Sequence, residues 1–137
     1  MAKFIRGALF CKYGPVKFDL KLTGAVVSIT GNSGTGKSFL FDALQLAPDK
    51  YRVVLINRFL NKEEIVNRIK NADGKLIVVD NADILLPMCG IKFPQIQGDT
   101  RNQYLLFSRR GKSYGANGKT IGEFICKDNV VTIEYLR

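Results

Sequence analysis

"ITGNSGTGKSFLFDAL", Ile29–Leu44, is the stretch on which the reading of this chain turns. Gly31, Gly36, Lys37 and Ser38 complete the spacing G-x-x-x-x-G-K-[ST], whose glycines let the backbone turn tightly so that successive N–H groups face one point. Between them Asn32, Ser33, Gly34 and Thr35 are small or polar, as a loop wrapped closely around a ligand requires. Upstream, "AVVSITG" is a nearly continuous apolar run suited to a central strand buried on both faces. Downstream, "KSFLFDALQLA" carries apolar residues at helical spacing and stops at Pro48. Strand, glycine loop and helix start in that order make a phosphate cradle, with N–H donors and the helix N-terminus facing the anion. Lys37 would reach the outer phosphates and the Ser38 hydroxyl would coordinate Mg²⁺.

Working outward, Val16, Phe18, Leu20 and Leu22 alternate at every second position, which predicts an antiparallel hairpin with "KFIRGALF" across the turn "KYGP". "YRVVLIN" reads as a second buried strand. In "NKEEIVNRIKNADG", Asn61 and Glu64 form a capping-box pattern, and Ile65 and Ile69 share a helical face. "KLIVVDNAD" is a third buried strand, ending in an acidic cluster. "ILLPMCGIKFPQIQGDTR" holds two prolines and two glycines, so only a turn or two of helix fits there, near Ile84 and Leu85. "NQYLLFSRR" is a fourth strand, "GKSYGANGKT" a basic glycine-rich loop, and "IGEFICKDNVVTIEYLR" a closing hairpin turning at "KDN".

With 137 residues, 46% hydrophobic and 24% charged, the chain suits a single globular domain over residues 1–137. Its longest apolar runs are strand-sized, so no membrane partner is expected. The start "MAKFIRGALF" lacks the long apolar core of a signal peptide. Cys11, Cys89 and Cys126 are scattered and there is no histidine, which points to a reducing, cytoplasmic setting and away from zinc or a disulfide framework. Without histidine, any chemistry falls to carboxylates, a metal or a positioned water. The net charge of +9 and pI near 9.6 favour polyanionic partners.

On "GNSGTGKS" and "KLIVVDNAD" the sequence resembles the P-loop NTPases, with these segments as their Walker A and Walker B motifs. The resemblance runs from the first buried strand through "FSRR" and places Asp80 as a second Mg²⁺ ligand beside Ser38. Within that class it is closest in pattern to small AAA, STAND and RecA-like ATPases, which insert a strand bearing a polar sensor or arginine between the two motif strands. Asn102, Ser108 and Arg109 match that strand. The resemblance implies an α/β, three-layer fold with a mainly parallel sheet in the order 5-1-4-3-2, and antiparallel hairpins added at the N- and C-terminal ends. It also departs from the pattern. The glutamate that usually follows the Walker B aspartate is Asn81, an amide that orients water but accepts no proton. Asp83 is either a substitute or the cap of a short helix. Arg101, Arg109 and Arg110 are candidates for an arginine at the phosphates.

The opening hairpin also resembles the entry of ABC and SMC-type ATPases, in which an upstream aromatic stacks on adenine. Tyr13 or Phe10 would fill that role, with Phe39 next to the cradle, although core packing is the commoner fate of aromatics. The implied ligands are ATP or ADP with Mg²⁺. Three functions stay open: slow or partner-stimulated ATP hydrolysis in a switch or assembly module, a small-molecule or nucleotide kinase, and a non-hydrolysing nucleotide-binding protein. The basic loop Arg109–Lys119 is the expected contact for nucleic acid or a protein neighbour. No helical lid follows, so the usual ring is not expected, while homo-oligomers of another kind remain open.

Overall fold

The computed structural model describes residues 7–31, 37–46, 52–109 and 121–135. Eight strands form one sheet: β1 (Gly7–Tyr13), β2 (Val16–Leu22), β3 (Val26–Thr30), β4 (Val53–Ile56), β5 (Leu76–Val79), β6 (Gln103–Ser108), β7 (Ile121–Lys127) and β8 (Val130–Tyr135), in the order β1-β2-β8-β7-β3-β6-β5-β4. The helices are α1 (Lys37–Leu46), α2 (Lys62–Asn71), α3 (Ala82–Met88) and α4 (Phe93–Gln97). β1–β2 and β7–β8 are antiparallel hairpins, whereas β7, β3, β6, β5 and β4 run parallel to one another.

This corrects the three-layer, mainly parallel α/β expectation. Among the described residues strand, at 42%, outweighs helix, at 29%, and the sheet is mixed and curled into a half-barrel. The hairpins are not edge additions. A parallel contact between β2 and β8, Lys17↔Val130 and Phe18↔Val131, joins them into one surface that supplies half of the strands. The physical reason lies in their inward faces. Leu9, Cys11, Phe18, Leu20, Phe124 and Val131 are too apolar to face water, and the sheet bends until they meet α1 and the inner side of β3, β5 and β6. One helix and two hairpins therefore fill the space where a layer of helices was expected.

The second core lies on the other side of the sheet, where Ile56, Ile77, Val79, Tyr104 and Leu106 meet Ile65 of α2, Leu85 and Leu86 of α3, and Ile96 of α4. β6 serves both cores and is buried along its whole length: Leu105 and Phe107 point to one, Tyr104 and Leu106 to the other. Phe107 anchors the first core between Phe41 of α1 and Phe124 of β7, with ring centroids 5.8 and 5.5 Å away.

Local chemistry explains the helix ends. Glu64 N–H donates to Asn61 Oδ1 at 2.8 Å and Asn61 N–H to Glu64 Oε1 at 3.0 Å, the reciprocal box expected at the start of α2. Pro87 falls in the last turn of α3, and Pro94 sits at the start of α4, where a missing N–H costs nothing. Among the described residues, no helix is long and apolar enough to cross a membrane.

Candidate functional site

β3 delivers the chain to the candidate cradle. Its residues Val27–Thr30 are buried, and Gly31 follows with φ at +139°, a conformation that disfavours a side chain. A Cβ there would meet nothing within 4 Å, so backbone geometry rather than crowding calls for glycine. Asn32, Ser33, Gly34, Thr35 and Gly36 lie outside the described residues. The chain re-emerges as α1, and Lys37 Nζ donates to Gly31 O at 3.2 Å. That contact folds the first ammonium of the helix back over the end of the strand. Ser38 is in the first turn of α1.

The neighbouring strands bring further residues to the same edge of the sheet. Thr30 pairs with Ser108, so Arg109 lies level with Gly31 one strand away. Leu106 pairs with both Ser28 and Val79, so Asp80 lies level with Ile29 two strands away, about 10 Å across the sheet. Asp80 N–H donates to Ile56 O at 2.9 Å, and Asp80 Oδ1 accepts from Asn81 N–H at 3.0 Å. Asn81 adopts left-handed φ and ψ of 50° and 46° at the N-cap of α3, and its side chain makes no capping bond. Asparagine tolerates this conformation better than most residues.

Asp83 is not the cap of α3. It is the second residue of the helix, in its first turn, and its Oδ2 accepts from Arg109 Nε at 2.8 Å. Its Oδ1 is buried with no hydrogen-bond partner among the described residues. A carboxylate expected at water or at a helix end is thus committed to the arginine that follows β6. Ser108 Oγ, one residue before Arg109, is also buried and has no hydrogen-bond partner among the described residues.

Aromatic residues flank the cradle. Tyr13 at the end of β1 stacks on Phe39 in the first turn of α1, with centroids 5.7 Å apart and planes 28° from parallel. Phe39 is 47% exposed, so one aromatic surface beside the loop stays open to solvent. Phe10 is excluded from this role. It pairs with Asp19 on the outer face of the hairpin, three residues from Tyr13 and on the opposite side of the sheet.

Two expected residues stand elsewhere. Asn102 precedes β6, at the opposite end of that strand from Ser108, and is fully buried. Its Nδ2 donates to Ala72 O at 3.0 Å and Asp99 Oδ2 at 2.9 Å, and its Oδ1 accepts from Lys75 N–H at 3.0 Å. Asn102 is a structural bracket between α2 and the starts of β5 and β6, not a sensor. Arg101 lies at the same far end, 3.8 Å from Asp99. Arg110 and the rest of the basic loop through Lys119 lie outside the described residues.

The sequence reading missed this bracket and the bond from Tyr104 OH to Asp99 Oδ2 at 2.5 Å beside it. An asparagine placed just before a strand built around Tyr104, Leu105, Leu106 and Phe107 was the available signal. The bracket borders an open cavity of about 400 Å³ lined by Val66, Ile69, Ile91, Ile96, Lys70 and Arg101, among others.

Among the described residues no cluster of three or more histidine, cysteine or acidic side chains could hold a metal ion. Mg²⁺ does not demand one, since it commonly binds through one or two protein oxygens plus phosphates and water. The hydroxyl and carboxylate of Ser38 and Asp80 are hard oxygen donors of that type. Comparisons with protein-family models, curated proteins and solved structures return no match to this chain.

Proposed function

We propose that the protein binds ATP with Mg²⁺ at the β3–α1 junction and acts as a nucleotide-dependent switch or assembly module with slow or partner-stimulated hydrolysis. The observation that supports this reading best is the Lys37–Gly31 contact, because it holds an ammonium over the strand end from which the G-x-x-x-x-G-K-S loop departs. In this reading the loop amides and Lys37 hold the outer phosphates. Ser38 and Asp80 would hold Mg²⁺, which supplies charge neutralisation to the phosphates. Tyr13 and Phe39 offer a surface on which a purine ring stacks.

The chain's own residues argue for slow turnover. Asn81 orients a water molecule but takes no proton from it, and Asp83 is bonded to Arg109. Arg109 then serves as the cation nearest the cradle from the neighbouring strand, where it stabilises charge that develops on the phosphates. Asp83 positions it.

Binding of a fluorescent ATP analogue with and without Mg²⁺, followed by phosphate release, tests this. Lys37→Ala is expected to abolish binding, and wild-type release to be slow. Binding without release identifies a pure switch. Phosphate appearing on an added nucleoside monophosphate or metabolite identifies a kinase. No binding by the wild type refutes the reading.

A further inference from the structure

The outer face of β1-β2-β8-β7 carries a basic row that the nucleotide site does not use. Side chains two apart on a strand share a face, and ladder pairs align the strands. Lys12 pairs with Lys17, Lys17 with Val130, and Val130 with Lys127, so three lysines share one row across four strands, about 14 Å from end to end. All three are exposed, and none forms a salt bridge among the described residues. Lys12 and Lys17 stand directly opposite each other, an arrangement that costs stability. Asp19, diagonal to Lys12 and two residues along β2 from Lys17 on the same face, offsets part of that cost, and an external polyanion would offset the rest.

Two residues along the strands, about 7 Å behind the lysines, comes a row containing Phe10 and Ile125. Phe10 pairs with Asp19 and Ile125 with Thr132, and these large apolar side chains are 56% and 40% exposed. The acidic residues Glu123 and Glu134 pair with each other one row further on. The face therefore has a basic row near the hairpin tips, then a row in which Phe10 and Ile125 flank Asp19 and Thr132, then a mixed row of Lys21, Glu134 and Glu123.

We propose that the tip of this face binds single-stranded nucleic acid, with phosphates along Lys12, Lys17 and Lys127 and bases against Phe10 and Ile125. A charged row beside exposed apolar surfaces suits a strand whose bases are unstacked. A duplex would present phosphates but no base faces. Asp19 in the second row, with Glu123 and Glu134 in the third, disfavours phosphates away from the tip row.

Fluorescence anisotropy with a labelled oligodeoxythymidine of about 20 nucleotides tests this. Each phosphate contact on a single strand contributes about 0.7 to the logarithmic salt slope, so Lys12→Ala/Lys17→Ala/Lys127→Ala should lower the slope by about 2. Between about 50 and 200 mM salt, the wild type should then lose about 20-fold more affinity than this variant. Phe10→Ala should weaken binding equally at both salts. Lys37→Ala should bind the oligonucleotide as the wild type does, which separates this surface from the nucleotide site. If the triple variant fails to fold, Lys127→Ala alone should lower the slope by about 0.7. No binding by the wild type, an unchanged slope in the lysine variants, or duplex binding that equals single-strand binding and ignores Phe10→Ala would each overturn the proposal. So would capture by anionic phospholipid vesicles without any oligonucleotide binding.

Discussion

Arg109 Nε and Asp83 Oδ2 are 2.8 Å apart, and the two side chains are unequally buried, 61% exposed for the arginine against 7% for the aspartate. The pair ties the exit of β6 to the first turn of α3. The imbalance makes its two ends unequal under substitution. Arg109→Ala strands a buried carboxylate whose Oδ1 already lacks a partner among the described residues, and should cost about 1–2 kcal/mol. Asp83→Ala leaves only an arginine that water can solvate, and should cost less than about 1 kcal/mol. Urea denaturation of both, and of the double variant, checks this. A larger loss for Asp83→Ala would refute it.

Asn102 provides a sharper separation between structure and chemistry. Its side chain makes three hydrogen bonds at a fully buried position, so Asn102→Ala should destabilise by about 2–4 kcal/mol. It stands at the far end of β6 from Arg109, so nucleotide affinity of the folded fraction should stay at the wild-type value. A variant that is stable but impaired in nucleotide binding would restore the sensor role that the resemblance implied.

Why the sequence disclosed some of this and not the rest is a matter of range. The alternation of Val16, Phe18, Leu20 and Leu22 and the Asn61–Glu64 box are local signals, and β2 and the start of α2 follow from them. The curl of the sheet depends on Lys17↔Val130 and Phe18↔Val131, pairs separated by most of the chain and unmarked by any local pattern. The same holds at the site. Gly31 and Lys37 were legible because the motif is contiguous. The Arg109–Asp83 bond joins the end of β6 to the helix that follows β5, an adjacency that only the sheet order supplies, and Asp83 in isolation looks like a helix cap. Asn102 misled because its match to a sensor strand was by order of elements, while burial gave it another task.

Thiol chemistry reports on the curled sheet independently. Cys11 faces the first core and Cys89 the second, whereas Cys126 on β7 is exposed. Burial also pushes the Cys89 thiol up, against the opposing charge of Lys62, which lowers its thiolate fraction further. Under native conditions an aromatic disulfide reagent should therefore modify Cys126 quickly, with Cys11 and Cys89 following only on unfolding. Rapid modification of Cys11 would mean that the N-terminal hairpin does not close over α1.

The pair Tyr104–Asp99 should make stability depend on pH at both extremes. Burial, the bond to Asp99 and its negative charge all hold the Tyr104 phenol above its ordinary value of 10, with Arg101 opposing them more weakly. Burial also pushes Asp99 up, but hydrogen bonds from Asn102, Tyr104 and the Arg101 amide, with the Arg101 charge, together outweigh it and leave the carboxyl below 3.8. A phenol raised on folding contributes stability that is full below its unfolded value and declines as pH rises beyond it. A carboxyl lowered on folding contributes stability that is present above its unfolded value and is lost as pH falls through the folded one. Tyr104→Phe removes the first contribution and weakens the second. The stability gap between wild type and Tyr104→Phe should therefore be constant from about pH 5 to 9, and narrow by about 1 kcal/mol at pH 10.5. It should narrow again below about pH 4. Urea midpoints across this range measure the gap, and a gap that stays flat into alkali would show that the phenol proton is not held by Asp99.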